Sequence, residues 1–129
     1  MSGGHYVLDM SFLASEALTQ FQAVTLDTAG TISAADAQGE RIIGICQEAV
    51  TAADVTNGRV VNVRVLGVSR AIASGTPDPG ELVTASADGS LEPVATGDFS
   101  VGICVATTSA ADNDQFDVLL TPSNGVASA

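Results

Sequence analysis

Few side chains in this sequence are of types that perform chemistry. The single histidine, His5, follows two glycines near the N-terminus, where little holds a catalytic base in place, so we expect it to be idle. No orienting histidine is available to form a Cys–His pair with Cys46 or Cys104. Without a second histidine there is no His-based metal site, and the cysteine spacing is not that of a zinc site. The sequence therefore predicts no catalytic residue, no metal ligand and no cofactor.

The densest acidic run is 111–117, Ala-Asp-Asn-Asp-Gln-Phe-Asp. It superficially resembles an Asp-x-Asp calcium loop but lacks the central glycine and the closing glutamate of an EF-hand. A solvated acidic turn is the favoured interpretation. A weak cation site and a hydrolase that uses Asp112 and Asp117 as paired carboxylates stay as alternatives.

The elements that position these residues occur twice. Residues 24–32 are similar to 83–91, and Ile-Gly-Ile-Cys at 43–46 is repeated as Val-Gly-Ile-Cys at 101–104. The match continues from 52–54 and 60–61 to 110–112 and 118–119. Two copies of a strand–turn–strand unit predict one β domain with internal pseudo-symmetry.

The cysteines occupy equivalent positions in the two copies and have mostly small neighbours. This pattern is typical of buried thiols that act as small apolar side chains. A disulfide that joins the two halves is the alternative, because pseudo-symmetry could bring the two strands side by side.

Turn signals divide the chain into about nine short strands, which is typical of a small all-β barrel or sandwich. We predict a β domain over 21–122, with repeat halves 21–66 and 80–122, a loop over 51–58 and a flexible tail over 123–129. Residues 1–20 are predicted as an N-terminal arm, helical or extended, without a counterpart in the second copy. The strands are predicted at 22–26, from 32, and at 42–50, 59–66, 68–73, 81–85, 90–94, 99–106 and 115–121.

Composition narrows the function classes. The chain has 129 residues, 15 acidic residues, four arginines and a formal net charge of −11, the wrong sign for nucleic acid or an anionic membrane surface. No apolar run is long enough to span a bilayer and no signal peptide is evident, so we expect folding in a cytoplasm. The arginines Arg41, Arg59, Arg64 and Arg70 lie in one stretch, where they either pair locally or meet acidic groups of a partner.

Six stretches carry a family resemblance: 16–21 (Glu-Ala-Leu-Thr-Gln-Phe), 24–30 (Val-Thr-Leu-Asp-x-x-Gly), 43–49 (Ile-Gly-Ile-Cys-x-x-Ala), 59–67 (Arg-Val-Val-Asn-Val-Arg-Val-x-Gly), 73–83 (Ala-Ser-Gly through Pro-Gly-x-x-Val) and 95–103 (Ala-Thr-Gly-Asp-Phe-x-x-Gly-Ile). With them the repeated pattern resembles the small β-rich head decoration, or capsid cement, proteins of tailed double-stranded DNA bacteriophages. The resemblance extends from about Glu16 to Pro122.

The resemblance implies a non-enzymatic β-barrel-like subunit, often a homotrimer, on the outside of the virion capsid. Such a protein would bind the major capsid protein and lock neighbouring capsomers after assembly in the host cytoplasm. Contacts with partners are expected in the parts that the repeat does not cover, namely 1–20, 59–70 and 74–80. A soluble ligand-binding or adhesion module is the alternative. The predicted interface residues are Tyr6, Val7, Leu8, Phe12, Leu13, Arg59, Arg64 and Arg70.

Overall fold

A computed structural model describes residues 7–120, which are nearly all β, as the sequence predicts. His5, Tyr6 and the predicted tail lie outside the described residues. The elements are β1 (Leu8–Ala14), β2 (Ala23–Leu26), β3 (Thr31–Ala34), β4 (Gly44–Cys46), α1 (Ala52–Thr56), β5 (Val60–Ile72), β6 (Leu82–Ala85), β7 (Leu91–Pro93), β8 (Gly102–Cys104) and β9 (Gln115–Leu120).

Strand β1 closes a first five-stranded barrel. It pairs in parallel with β3 and antiparallel with β5, while β2 joins β3 to β4 and β4 joins the first half of β5. Apolar side chains from all five strands fill the interior as one buried cluster. Its members are Ala14, Leu18, Val24, Ile32, Cys46, Val50, Val61 and Val63.

The second barrel begins where β5 continues past its middle. From Gly67 onward β5 pairs with β9, and the order continues through β8 and β6 to β7. An isolated parallel bridge between Ala73 and Leu91 closes this ring. Gly67 has φ +100°, a conformation that suits glycine, at the point where β5 passes from one barrel to the other. The sequence predicted two strands here, and the structure has one.

Strand β1 is the counterpart of the second half of β5. The Ser15 N–H donates to the Ile32 carbonyl at 2.9 Å, and the Ser74 N–H donates to the Leu91 carbonyl at 2.7 Å. The prediction that residues 1–20 lie outside the repeated body is thus wrong for residues 8–14, which form a barrel strand. Five of the seven β1 residues are exposed, which is why the segment lacks the alternation of a half-buried strand.

The Pro-rich loop at 74–80 is also repeated, contrary to the sequence interpretation. Its counterpart is 15–21, since the N–H groups of Phe21 and Gly80 donate to Cys46 and Cys104 carbonyls, both at 2.7 Å. Substitution of different residue types had hidden this equivalence in the sequence. Each copy therefore begins one strand earlier than the sequence suggested.

The repeated Ile-Gly-Ile-Cys and Val-Gly-Ile-Cys motifs owe their glycines to close strand approach. A Cβ on Gly44 would overlap the Arg64 carbonyl oxygen, and one on Gly102 would overlap the Leu119 carbonyl oxygen. Arg64 and Leu119 therefore occupy equivalent positions in the two copies. The sequence comparison, which matched 60–61 with 118–119, aligned these two strands in a different register. Helix α1 causes the shift because it adds residues to the first copy.

Helix α1 lies within the segment predicted as a loop. Thr51 caps it, because its side chain accepts the Asp54 N–H at 3.1 Å while the Asp54 carboxylate accepts the Thr51 N–H at 3.0 Å. This Thr-x-x-Asp arrangement is a capping box. The sequence signal was present at 51–54, but five residues are too few to give helical periodicity.

We expect Gly102→Ala to lower the free energy of unfolding by about 1–3 kcal/mol, the usual cost of overpacking a dense interior. The added methyl group meets backbone, which cannot move aside as a flexible side chain could. Chemical denaturation followed by circular dichroism measures the effect. Thr107→Ala, at an exposed position of the neighbouring loop, is the control and should leave stability nearly unchanged. Equal stability of Gly102→Ala and wild type would contradict the close-approach explanation.

Candidate interaction surface

The central strand β5 presents one face to solvent. Its residues alternate between buried and exposed or half-buried positions along most of its length. Val61 and Val63 are fully buried, whereas Val60, Leu66 and Val68 are 57%, 40% and 42% exposed. Leu66 shares the solvent-facing side with Asn62 and Arg64. That this face carries so much apolar surface was not anticipated from the sequence.

The flanking strands extend this apolar surface. Directly paired residues project to the same side of a sheet, with Cβ atoms about 5 Å apart. Leu8 pairs with Leu66, Leu13 with Val60, and Leu119 with Val68. Six of the eleven exposed large apolar side chains in the described chain belong to these pairs. We call the outward residues of the three strands the outer band: Leu8, Asp9, Ser11, Leu13, Val60, Asn62, Arg64, Leu66, Val68, Arg70, Ile72, Gln115, Asp117 and Leu119.

Two arginines flank the apolar centre of the outer band. Arg64 Nε lies 2.9 Å from Asp9 Oδ1, and Arg64 Nη1 donates to the Val68 carbonyl at 3.1 Å. Arg70 Nη1 donates to Gln115 Oε1 at 3.0 Å, with Asp117 3.9 Å from its Nε. Apolar side chains bounded by charged pairs resemble the core and rim of a protein–protein interface.

The structure brings together half of the predicted interface residues. Leu8, Leu13, Arg64 and Arg70 all belong to the outer band. Val7, 45% exposed, directly precedes β1. Two of the remaining three lie apart from the outer band, and the third is not described. Phe12 packs against the first-barrel cluster, Arg59 stands outside the band next to α1, and Tyr6 is outside the described residues.

Arg59 holds the connection around α1 together. Its guanidinium contacts the carboxylates of Glu48 and Asp54, the latter at 3.0 Å. The pKa of Asp54 is lowered, chiefly because the backbone N–H of Thr51 donates to its carboxylate, with Arg59 adding to the effect. This geometry gives Arg59 a structural role in the chain.

All four arginines thus have partners within the chain. Arg41 lies over the Phe99 ring at 4.7 Å from its centroid, and the other three contact carboxylates. Of the two interpretations that the sequence left open, local pairing describes the geometry. The residues that sequence reasoning missed are the apolar ones, Leu66, Val68 and Leu119. Their period-two placement on a solvent-facing side was the available signal.

The cysteines lie in different barrels and both are free. The disulfide alternative is therefore not the arrangement found. Burial is the main cause that raises the pKa of the Cys46 thiol, which also donates to the Glu48 carbonyl at 2.8 Å.

We expect neither cysteine to react with a thiol reagent in the native protein, because both side chains are buried. Unfolding in denaturant should expose two thiols per chain. Absorbance titration with a chromogenic disulfide reagent, before and after unfolding, checks this expectation. Rapid modification of one thiol under native conditions would show that its barrel opens readily, and no thiol after unfolding would indicate a disulfide.

The acidic run at 112–117 is built into the second barrel. Asp112 Oδ1 accepts the Gly75 N–H at 2.9 Å, and the Asp114 carbonyl accepts the Ala73 N–H at 2.8 Å. Within residues 7–120, no three His, Cys, Asp or Glu side chains come together in a way that could hold a metal ion. The described residues thus offer no such cluster for the cation alternative.

None of the helices in the part of the chain described here could cross a membrane. One open cleft, with a volume of about 280 Å³, is lined by Arg70, Phe116 and the 105–110 loop. It is smaller than the 300–1,000 Å³ typical of ligand pockets and mostly polar. The surface that distinguishes this molecule is the outer band.

Comparison with solved structures finds chains of similar fold. Three chains match, among them the N base of the head fibre gp8.5 of bacteriophage phi29. The TM-score is 0.70, with 92% of this chain and 97% of that chain covered. Sequence identity is 16%, so this likeness is one of fold. Comparison with curated protein sequences finds no match.

The family comparison agrees with the resemblance seen in the sequence. The family model described as phage cement protein matches residues 1–121. That match spans both barrels and every strand of the outer band. The chain belongs to the phage cement protein family, whose members are structural, capsid-associated proteins of phages.

Proposed function

We propose that this protein binds the outer surface of an icosahedral phage capsid and stabilises it by bridging neighbouring capsomers. The observation that carries the proposal is the outer band, with six exposed large apolar side chains on β1, β5 and β9. Four of them, Leu8, Leu66, Val68 and Leu119, belong to neighbouring pairs along β5, and exposed apolar surface of this kind marks interaction sites on soluble proteins. On a chain of net charge −11, the band is the region best suited to contact with another protein.

The chemistry of the band suits a protein partner. Burying Leu66, Val68 and Leu119 would remove apolar area from water, which contributes about 25 cal/mol per Å². The Asp9–Arg64 pair would stay at the rim, where exposed pairs are not forced to lose their hydration. The proposed partner is the major capsid protein, and the proposed location is the virion exterior after assembly in the host cytoplasm.

The barrels supply rigidity rather than reactivity in this proposal. A single strand, β5, belongs to both barrels and carries the middle of the band. A contact surface on such a strand keeps its shape when the shell beneath it moves. We propose that the subunit acts without enzymatic activity and as a homotrimer, so that several bands are presented together.

Capsid pull-down tests the proposal. Expanded shells prepared without this protein are mixed with the purified protein and sedimented. We expect saturable binding at a fixed ratio to capsomers. Failure to bind such shells, with a folded protein, would overturn the proposed function. The ligand-binding alternative predicts no saturation at a capsid-like ratio.

A further inference from the structure

The two barrels meet through a contact that uses different surfaces of the two copies. The Ala23 N–H of the first barrel donates to the Gly89 carbonyl of the second at 2.8 Å. The backbone of Gly39 makes two further hydrogen bonds to the second barrel. Its N–H donates to the Ala85 carbonyl at 2.8 Å, and its carbonyl accepts the Phe99 N–H at 3.0 Å. We call Ala23, Ala35, Gly39 and Ile45 the front face, and Ala85, Gly89 and Phe99 the back face.

This contact is heterologous. The repeat equates the front face of the first barrel with Leu82, Val94, Gly97 and Ile103 in the second, and the back face of the second barrel with Leu26, Gly30 and Arg41 in the first. These equivalents do not repeat the contact within the chain. The front face of the second barrel is therefore left without this contact at Leu82 and Gly97, and the back face of the first barrel at Leu26 and Gly30. Arg41 differs from them, because it lies over the Phe99 ring of the same chain.

The uncovered faces are apolar at the positions that correspond to buried residues. Ala23 and Ala85 are fully buried in one cluster, which fills the second barrel and includes side chains of the first. Their equivalents Leu82 and Leu26 are 43% and 44% exposed. Both positions carry leucine on the surface of a strongly acidic chain, where a monomer would be better served by a charged residue.

The glycines follow the same pattern. At the covered faces, a Cβ on Gly39 would overlap Asp98 and one on Gly89 would overlap Gln22. At the uncovered faces, nothing lies within 4 Å of a Cβ on Gly97 or on Gly30. At Gly97 and Gly30 the uncovered faces thus lack the neighbour that their covered counterparts have, and they carry leucine where the covered faces carry Ala23 and Ala85.

We infer that copies of this chain associate head to tail, with the front face of the second barrel in one copy against the back face of the first barrel in the next. The occupant of each uncovered face is a second copy of this chain, because the contact is already made once between the two barrels. Heterologous contacts that close give a ring, so three copies would form a ring of six barrels. This inference rests on the homo-oligomer in the proposed function and names the surfaces that join it.

Two arginine variants test the inference. Leu26→Arg alters only the uncovered back face, and Leu82→Arg alters only the uncovered front face. We expect wild type to have an oligomer mass by light scattering and each variant to have the monomer mass, with unchanged circular dichroism. Leu119→Arg, on the outer band and 40% exposed, is the control and should keep the oligomer mass. A monomeric wild type, or an oligomeric variant, would overturn the inference.

Mixing the variants tests the head-to-tail direction. In an equal mixture, the Leu82 of one variant can still meet the Leu26 of the other, so we expect a heterodimer. If the same face of two copies met instead, the Leu82→Arg variant would still self-associate through Leu26. Masses of the separate and mixed samples distinguish the two arrangements, and a mixture that stays monomeric contradicts the inference.

The two proposals fail separately. A wild type that is monomeric yet binds shells would contradict the head-to-tail contact alone. A wild type that is oligomeric through Leu26 and Leu82 but ignores shells would contradict the capsid proposal alone. Both measurements use the full chain.

Discussion

Deletion of residues 7–14 is expected to abolish cooperative folding of the first barrel. β1 supplies both closing contacts of that barrel, one with β3 and one with β5. Its removal would expose two strand edges and uncover the buried cluster that Ala14 and Phe12 help to complete. We expect the loss to exceed about 5 kcal/mol, the lower end of ordinary domain stability.

Thermal and denaturant unfolding followed by circular dichroism measures this loss. Deletion of residues 2–6, which lie outside the described chain, is the matched control and should unfold at nearly the wild-type midpoint. The sequence interpretation of residues 1–20 as an arm predicts that the larger deletion leaves folding intact. A cooperative transition at the wild-type midpoint in the larger deletion would therefore restore the arm interpretation and contradict the barrel closure.

The double variant Leu66→Asp with Val68→Asp is expected to weaken capsid binding by about 100-fold. Both side chains are outward and at least 40% exposed, so stability should change little. Binding would bury two unpaired carboxylates in place of apolar groups, and each buried polar group without a partner costs about 1–3 kcal/mol. Quantitative sedimentation with expanded shells gives the change in affinity.

The control adds the same charge elsewhere. Ala52→Asp with Ala53→Asp places two carboxylates in the exposed first turn of α1, where negative charge is tolerated. It should bind shells as wild type does, apart from a small effect of total charge. If both double variants lose affinity equally, general repulsion is the cause and the outer band is not the contact surface.

The sequence predicted the all-β fold and the duplication because strong local signals carry both. The turns at Asp27–Gly30 and Ser86–Gly89 occupy equivalent positions in the two copies. Backbone contacts require the glycines of the Ile-Gly-Ile-Cys and Val-Gly-Ile-Cys motifs. Residues with such specific local requirements are the same or similar in both copies. Pattern comparison therefore finds them from sequence alone.

The limits of the repeat could not be predicted for a physical reason. β1 reads Asp-Met-Ser-Phe-Leu-Ala at 9–14, and its counterpart reads Val-Ser-Arg-Ala-Ile-Ala at 68–73. The two strands occupy the same place in their barrels but face different surroundings, since β1 is largely exposed and 68–73 continues a strand shared by both barrels. These two segments form strands because of the strands with which they pair, and the sequence alone does not show which strands pair.

The candidate surface was predicted in part. The sequence singled out Arg64 and Arg70 for their charge and Leu8 and Leu13 for their position, and the structure places all four on one face. It overlooked Leu119 because β9 lies far along the chain from β5. Arg59 was included only because it belongs to the same stretch, and its contacts with Glu48 and Asp54 show a local role.

Imaging of decorated shells tests the central claim most directly. Shells assembled without this protein are imaged by cryo-electron microscopy before and after saturation with it, and the two maps are subtracted. We predict added density on the outside of the shell that spans the boundary between neighbouring capsomers, with β5 towards the shell. Density confined to the inside of the shell, or no added density with a folded protein present in excess, would contradict the account.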